Sequence, residues 1–320
     1  MGELIGGVWR TGVIESVLSD GTLRRPPSVF RDRVTADDGP FRAEAGRYHL
    51  YVSLACPWAH RTLIMRSLKG LAPMVGLSVV HWLMGEDGWT FAPGPGVVPD
   101  TVNGVTALHQ LYTLADPNCT TRVTVPVLWD KATGRIVSNE SAEILRMFIA
   151  AFDGLGATAG DYYPEAHRAE IDAVNERVYA NLNNGVYRAG FATTQAAYEA
   201  AIEGVFDTLD WLEERLAGQR FLVGDALTEA DIRLFTTLVR FNAVYHGHFK
   251  CNRRALVTYP ALWAYTRDLY QHPAIRPTVD LGHIKGHYYG SHPWLNPSRI
   301  VPLGPDLDFD APSGRERLSN

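Results

Sequence analysis

Apolar and polar positions change their period twice along the chain. At YHLYVSLA, residues 48–55, Tyr48, Leu50, Val52 and Leu54 alternate with His49, Tyr51 and Ser53, which predicts a strand. After Cys56 and Pro57 the spacing turns helical and predicts a helix to about residue 69, with the proline suited to its first turn. LSVVHWL, residues 77–83, reads as a second strand. VPVLWDKATGRIVS reads as two short strands about a turn at 131–134, and NESAEILRMFIAAF as a helix with Ile144, Phe148 and Ala151 on one face.

From about residue 165 the helical period persists. Val174, Val178 and Leu182 mark one helix, and Ile202, Val205, Leu209, Leu212 and Leu216 another. LTEADIRLF opens a third, with Thr228 as N-cap and Asp231 closing a capping box, and PALWAYTRDLY supplies a fourth. HIKGHYYGSHPWLNPSRIVPLGP is too irregular for a helix and too apolar for a free tail. Four segments follow: an ordered extension over 1–44, an α/β domain of thioredoxin-like order over 45–155, an all-α domain over 165–285, and a C-terminal extension over 286–320 packed on the helical domain. About forty residues between the second strand and the hairpin exceed a usual connection and read as a functional insertion over 84–124.

Composition narrows the class. The chain has 320 residues, 46% hydrophobic and 20% charged, enough to bury a sizeable core. A net charge of −5 gives no basic field to hold nucleic acid. No basic start followed by an apolar run opens the sequence, and no stretch reaches the roughly 18 apolar residues of a membrane span, so a cytoplasmic protein away from membranes is expected. Cys56, Cys119 and Cys251 are an odd set without a close pair, which fits a reducing compartment better than a disulfide framework.

The candidate chemistry centres on Cys56. A cysteine at a helix start faces unsatisfied N–H groups and the positive end of the helix dipole, which favour the thiolate, with Arg61 close by in sequence. A lone cysteine is more often an inert small hydrophobe, but the position after a strand and before a helix-start proline favours reactivity. A dithiol redox protein would carry a second cysteine at position 59, where this chain has Ala59. Pro126, at the head of a strand, resembles the cis-proline that faces the cysteine in thioredoxin-like folds. Asn139, Glu140 and Ser141 stand at a helix N-terminus, where they serve as caps or receive a carboxylate ligand. His246, His248 and Cys251 are too few and too irregular for a metal site, and none is expected.

CPWAHRTLIMR, TVPVLWD, IVSNESAEILR, NNGVYRAGFATTQ, LTEADIRLF, RFNAVYHGHFKCN and HIKGHYYGSHPWLNP together resemble the glutathione transferase superfamily, and within it the xi class of glutathionyl-hydroquinone reductases. The resemblance runs from about residue 40 to the end. It implies an α/β thioredoxin-like N-terminal domain with an all-α C-terminal domain, and a homodimer acting on glutathione and glutathionyl-aromatic substrates without metal. It also implies a catalytic Cys56, glutathione contacts from Trp89, Arg122, Val125, Pro126, Glu140 and Ser141, and hydroquinone contacts from Tyr187, Tyr245 and Tyr288. The implied reaction passes through a Cys56–glutathione mixed disulfide. An omega-like thiol transferase or dehydroascorbate reductase, and a noncatalytic thioredoxin-fold binding protein, are the alternatives.

Overall fold

The alternating stretch at Tyr48 becomes a fully buried strand, β3 (Tyr48–Val52), because it lies inside a sheet rather than at its margin. The computed structural model describes residues 2–12 and 17–318. Met1 and residues 13–16 of the expected N-terminal extension, and residues 319–320 of the C-terminal one, lie outside the described residues. Contacts divide the chain into two units, the first built mainly of Pro26–Gly160 and the second mainly of Asp161–Val279.

In the first unit, β1 (Gly2–Ile5) and β2 (Val8–Thr11) form a hairpin with Ile5 opposite Val8. Its two-residue loop, Gly6 and Gly7, has positive φ at both positions, which glycine adopts without strain. β3 is followed by α1 (Pro57–Leu68) and β4 (Val75–Val79), which pairs parallel to β3. The insertion then supplies a short helix, α2 (Leu108–Ala115), and β5 (Thr121–Arg122), which pairs with β1. β6 (Val127–Asp130) pairs antiparallel to β3, β7 (Arg135–Ser138) closes the hairpin, and α3 (Ser141–Ala150) packs against α1. The sheet order β4-β3-β6-β7, flanked by α1 and α3, is that of a thioredoxin-like domain.

Buried ends of this sheet carry their polar groups in pairs. Arg47 donates to both carboxylate oxygens of fully buried Asp130, at 2.8 and 2.7 Å. The expected extension divides between the units. Its Pro26–Ala43 part belongs with the sheet, running beside β7 through Asp32 N–H to Val137 O at 2.9 Å and Asn139 N–H to Phe30 O at 3.1 Å.

The second unit is helical: α4 (Arg168–Arg177), α5 (Gly185–Gly190), α6 (Gln195–Ala217), α7 (Glu229–Arg240) and α8 (Pro260–Gln271). The stripe of Val174, Val178 and Leu182 is buried as expected, but the backbone widens to π-helical turns at Val178–Asn183 and again at Phe241–Tyr245. The capping box at the start of α7 is present. Asp231 accepts from Thr228 N–H and, with its other oxygen, from Leu222 N–H and the Tyr265 hydroxyl, all at 2.8 Å. Near the chain end, buried Arg315 donates to the carbonyl of Leu216 in the last turn of α6 and to those of Gln219 and Arg220 just beyond it.

One expectation needs correction. The stretch at 281–291 is a helix, α9 (Leu281–Ser291), with Asp280 accepting from His283 N–H at 2.7 Å as its N-cap. It also belongs, within Asp280–His292, to the first unit and not to an extension on the helical domain. Its composition hides it, because beside Ile284 and Tyr288 the helix buries mostly glycines, histidines and a serine. Among the described residues no helix is long and apolar enough to cross a membrane.

Candidate active site

Cys56 stands where the chain leaves β3 for α1. Ser53 shapes that turn: its side chain accepts from Ala55 N–H at 3.2 Å and its carbonyl from Cys56 N–H at 3.2 Å. Cys56 is the N-cap residue, extended at φ −77° and ψ 121°, and its side chain makes no capping bond. The residue is half-exposed, and its sulfur sits 3.7 Å from the carbonyl oxygen of Val125, beside the cis Val125–Pro126 peptide. Helix N–H groups and the dipole of α1 therefore act on an accessible sulfur. Ala59, fully buried, fills the position of an absent second cysteine. Arg61 is buried with its guanidinium 4.6 Å from the centre of the Trp58 ring.

The other two thiols differ. Burial pushes the Cys119 thiol up, and burial pushes Cys251 far up, so neither ionises near neutrality. Among the described residues no group of three or more His, Cys, Asp or Glu is arranged to hold a metal ion.

The first unit holds several of the other expected residues. Arg122 lies on β5, opposite Glu3. Glu140 caps α3 through its bond from Ala142 N–H at 3.2 Å and accepts from the Ser28 hydroxyl at 3.0 Å, while Ser141 is buried in the first turn. Trp89, buried in the insertion, stacks on His287 of α9 with ring centres 4.7 Å apart and 27° between planes. Tyr288, also buried, packs its ring at 78° against His287.

The remaining two tyrosines belong to the second unit. Tyr187, on α5, and fully buried Tyr245, in the second π-helical segment, have ring centres 6.0 Å apart, and both pack on Phe249. Each adjoins a π-helical turn, a distortion that recurs at functional sites. Arg25 spans the Tyr187 face, its guanidinium 5.3 Å from the ring centre and its Nε bonded to Asn184 Oδ1 at 3.2 Å.

Sequence reasoning missed Tyr112, His287 and Arg25. Tyr112, on α2, donates its hydroxyl to Thr124 O at 2.9 Å and accepts from Thr124 N–H and Asn139 Nδ2, each at 3.2 Å. Burial pushes its phenol up, so it stays a donor. One hydroxyl thus ties the segment before Pro126 to the residue before Glu140. The apolar run around it, LHQLYTLA, gives no sign of that, since a tyrosine there reads as ordinary core.

Residues 55–151 match the glutathione S-transferase N-terminal domain and residues 195–268 the glutathione S-transferase C-terminal domain. The chain belongs to the glutathione S-transferase family. It is 58% identical over 305 residues to the glutathionyl-hydroquinone reductase PcpF of Sphingobium chlorophenolicum, covering 95% of this chain and 96% of that protein. The glutathione-bound structure of YqjG, a glutathione transferase homolog from Escherichia coli K-12, is similar with a TM-score of 0.91 and 52% identity, over 98% of this chain and 99% of that one. A Xi class enzyme structure from Natrialba magadii is similar with a TM-score of 0.93 and 50% identity, over 100% and 98%. These full-length likenesses place the chain in the Xi class.

Proposed function

We propose that this protein reduces S-glutathionyl-hydroquinones to free hydroquinones at the expense of glutathione. The observation that carries the reading is the half-exposed Cys56 at the start of α1, its sulfur facing the Val125 carbonyl, with Ala59 where a second cysteine would stand. The names of its full-length relatives support the choice of substrate.

The Cys56 thiolate attacks the glutathionyl sulfur. The sulfur–ring carbon bond breaks, its electron pair stays on the ring carbon and takes up a proton, and Cys56 is left disulfide-bonded to glutathione. A second glutathione attacks this disulfide, restores the thiolate and leaves as oxidised glutathione. One hydroquinone and one oxidised glutathione form per turnover. With no partner sulfur at position 59, an external thiol must close the cycle.

Arg122, Val125, Pro126, Glu140, Ser141 and Trp89 bind the glutathionyl part, the Val125 backbone pairing with its cysteinyl unit and the start of α3 receiving the γ-glutamyl end. Tyr288, together with Tyr187 and Tyr245, recognises the hydroquinone oxygens. The reading includes no metal, and it makes the protein a cytoplasmic homodimer, which sedimentation measures.

The deciding experiment supplies an S-glutathionyl-hydroquinone and glutathione and follows both products. Equal release of hydroquinone and oxidised glutathione, with a glutathionyl adduct on Cys56 when glutathione is limiting, supports the reading. Faster turnover of dehydroascorbate or a glutathionylated peptide makes it an omega-like thiol transferase, and no turnover of any of them makes it a binding protein.

A further inference from the structure

α9 presents His283, His287 and Ser291 at intervals of four residues, which puts the three on one helix face. Each bonds a backbone atom of residues 82–95. His283 Nε2 lies 2.6 Å from Pro95 O, His287 Nδ1 lies 2.9 Å from Trp82 O, and Ser291 Oγ accepts from Met84 N–H at 3.0 Å. A carbonyl only accepts, so His283 carries its proton on Nε2 and His287 on Nδ1. Beside this face, a Cβ on Gly286 would stand 3.0 Å from the Trp82 ring and one on Gly290 3.1 Å. The glycines let that ring lie close on the helix.

Between these anchors is Trp89. Its backbone is held in a short ladder: Leu108 N–H to Trp89 O at 2.8 Å, Phe91 N–H to Thr106 O at 2.8 Å, and His81 N–H to Thr90 O at 2.8 Å. The ladder fixes the chain, and His287 stacks on one face of the indole. The imidazole is in turn held by its Nδ1 bond, which stops the ring from turning. A purely structural clamp would need the backbone bonds of α9 but not a ring stacked at 27° on Trp89.

We propose that His287 is a positioning residue for the glutathionyl ligand, acting through the indole of Trp89. The inference rests on the reading of Trp89 as a glutathione contact. The stack and the backbone bond are then separable, the stack governing ligand affinity and the bond governing local stability.

Two variants of the full chain separate them. His287→Asn keeps an N–H donor for Trp82 O and removes the ring face, whereas His287→Phe keeps the face and removes the donor. With an aromatic pair of this kind, His287→Asn raises KM for both glutathione and the S-glutathionyl-hydroquinone about three- to tenfold. Its kcat stays within about twofold and its urea midpoint near that of the parent. His287→Phe shows the reverse, a parent-like KM with a lowered urea midpoint, and in a Trp89→Leu background His287→Asn adds nothing further to KM. A parent-like KM for His287→Asn beside a raised KM for Trp89→Leu overturns the positioning role and leaves the glutathione site standing. An equal rise of KM in His287→Asn and His287→Phe also overturns it. If Trp89→Leu itself leaves KM unchanged, Trp89 is not a glutathione contact and the inference falls with it.

Discussion

The hydroxyl of Tyr112 is bonded to both backbone groups of Thr124, donating to its carbonyl at 2.9 Å and accepting from its N–H at 3.2 Å. With Asn139 as third partner, this buried group braces the two loops that carry Val125 and Glu140. Tyr112→Phe keeps the ring but leaves Thr124 and Asn139 short of a partner in a buried setting. Unfolding in urea measures an expected loss of about 1–3 kcal/mol, with KM for glutathione rising as the loops loosen.

The three thiols separate by reactivity. A neutral alkylating reagent at pH 7 labels Cys56 first, because burial pushes up the other two thiols and shields them. Mass spectrometry of the digested protein locates the label. Cys56→Ala abolishes turnover with the fold retained, since the N-cap side chain makes no capping bond. Cys119→Ser and Cys251→Ser keep activity near that of the parent.

Ring recognition is tested one hydroxyl at a time. Tyr187→Phe, Tyr245→Phe and Tyr288→Phe each cost about 0.5–1.5 kcal/mol where the partner is neutral, up to about tenfold in kcat/KM for the S-glutathionyl-hydroquinone. Disulfide exchange with a small glutathionylated substrate lacking a phenol stays close to the parent rate. Equal loss of both activities in all three variants would remove the tyrosines from hydroquinone recognition.

Acid stability carries a histidine signature. Burial lowers His49 to about 4 and His248 to about 4. The unfolded chain protonates such groups near pH 6.5, while the folded chain does so only near pH 4. The unfolded state therefore binds more protons in between, so stability falls as pH drops from about 6.5 toward 4 and this loss levels off below that. Urea midpoints of the parent and His49→Gln, taken at pH 7 and pH 5, show a smaller acid loss in the variant. The substitution also removes the 2.8 Å contact of His49 Nε2 with Ser78 Oγ, so its pH 7 midpoint is the reference for the comparison.

Where local chemistry dictates local structure, the sequence was legible. Alternation into Val52, a proline after Cys56, the turn at 131–134 and the Thr228–Asp231 pair each act within a few residues, and the structure has the corresponding strand, helix, hairpin and capped helix. Features set by distant partners were not legible. β1 and β2 are four residues long and gain a third strand only from Thr121–Arg122, far along the chain. α9 buries mostly glycines and histidines, because its glycines accept the Trp82 ring and its histidines bond backbone carbonyls, so its partner was needed to recognise it. The π-helical turns at 178–183 and 241–245 keep the burial of an ordinary helix and so leave no periodic trace.

The membership of α9 in the first unit has a consequence for biosynthesis. A ribosome delivers Pro26–Gly160 first, then the whole of Asp161–Val279, and only afterwards the helix against which Trp82 and Trp89 rest. At roughly 5–20 residues per second that delay is on the order of ten seconds. During it the nascent sheet carries Cys56 while the indole segment still lacks its support. The thiol-bearing unit is thus not a cassette that can be cut out at residue 160 and transplanted, and gene fusions or split versions of this protein must carry residues 280–292 with it.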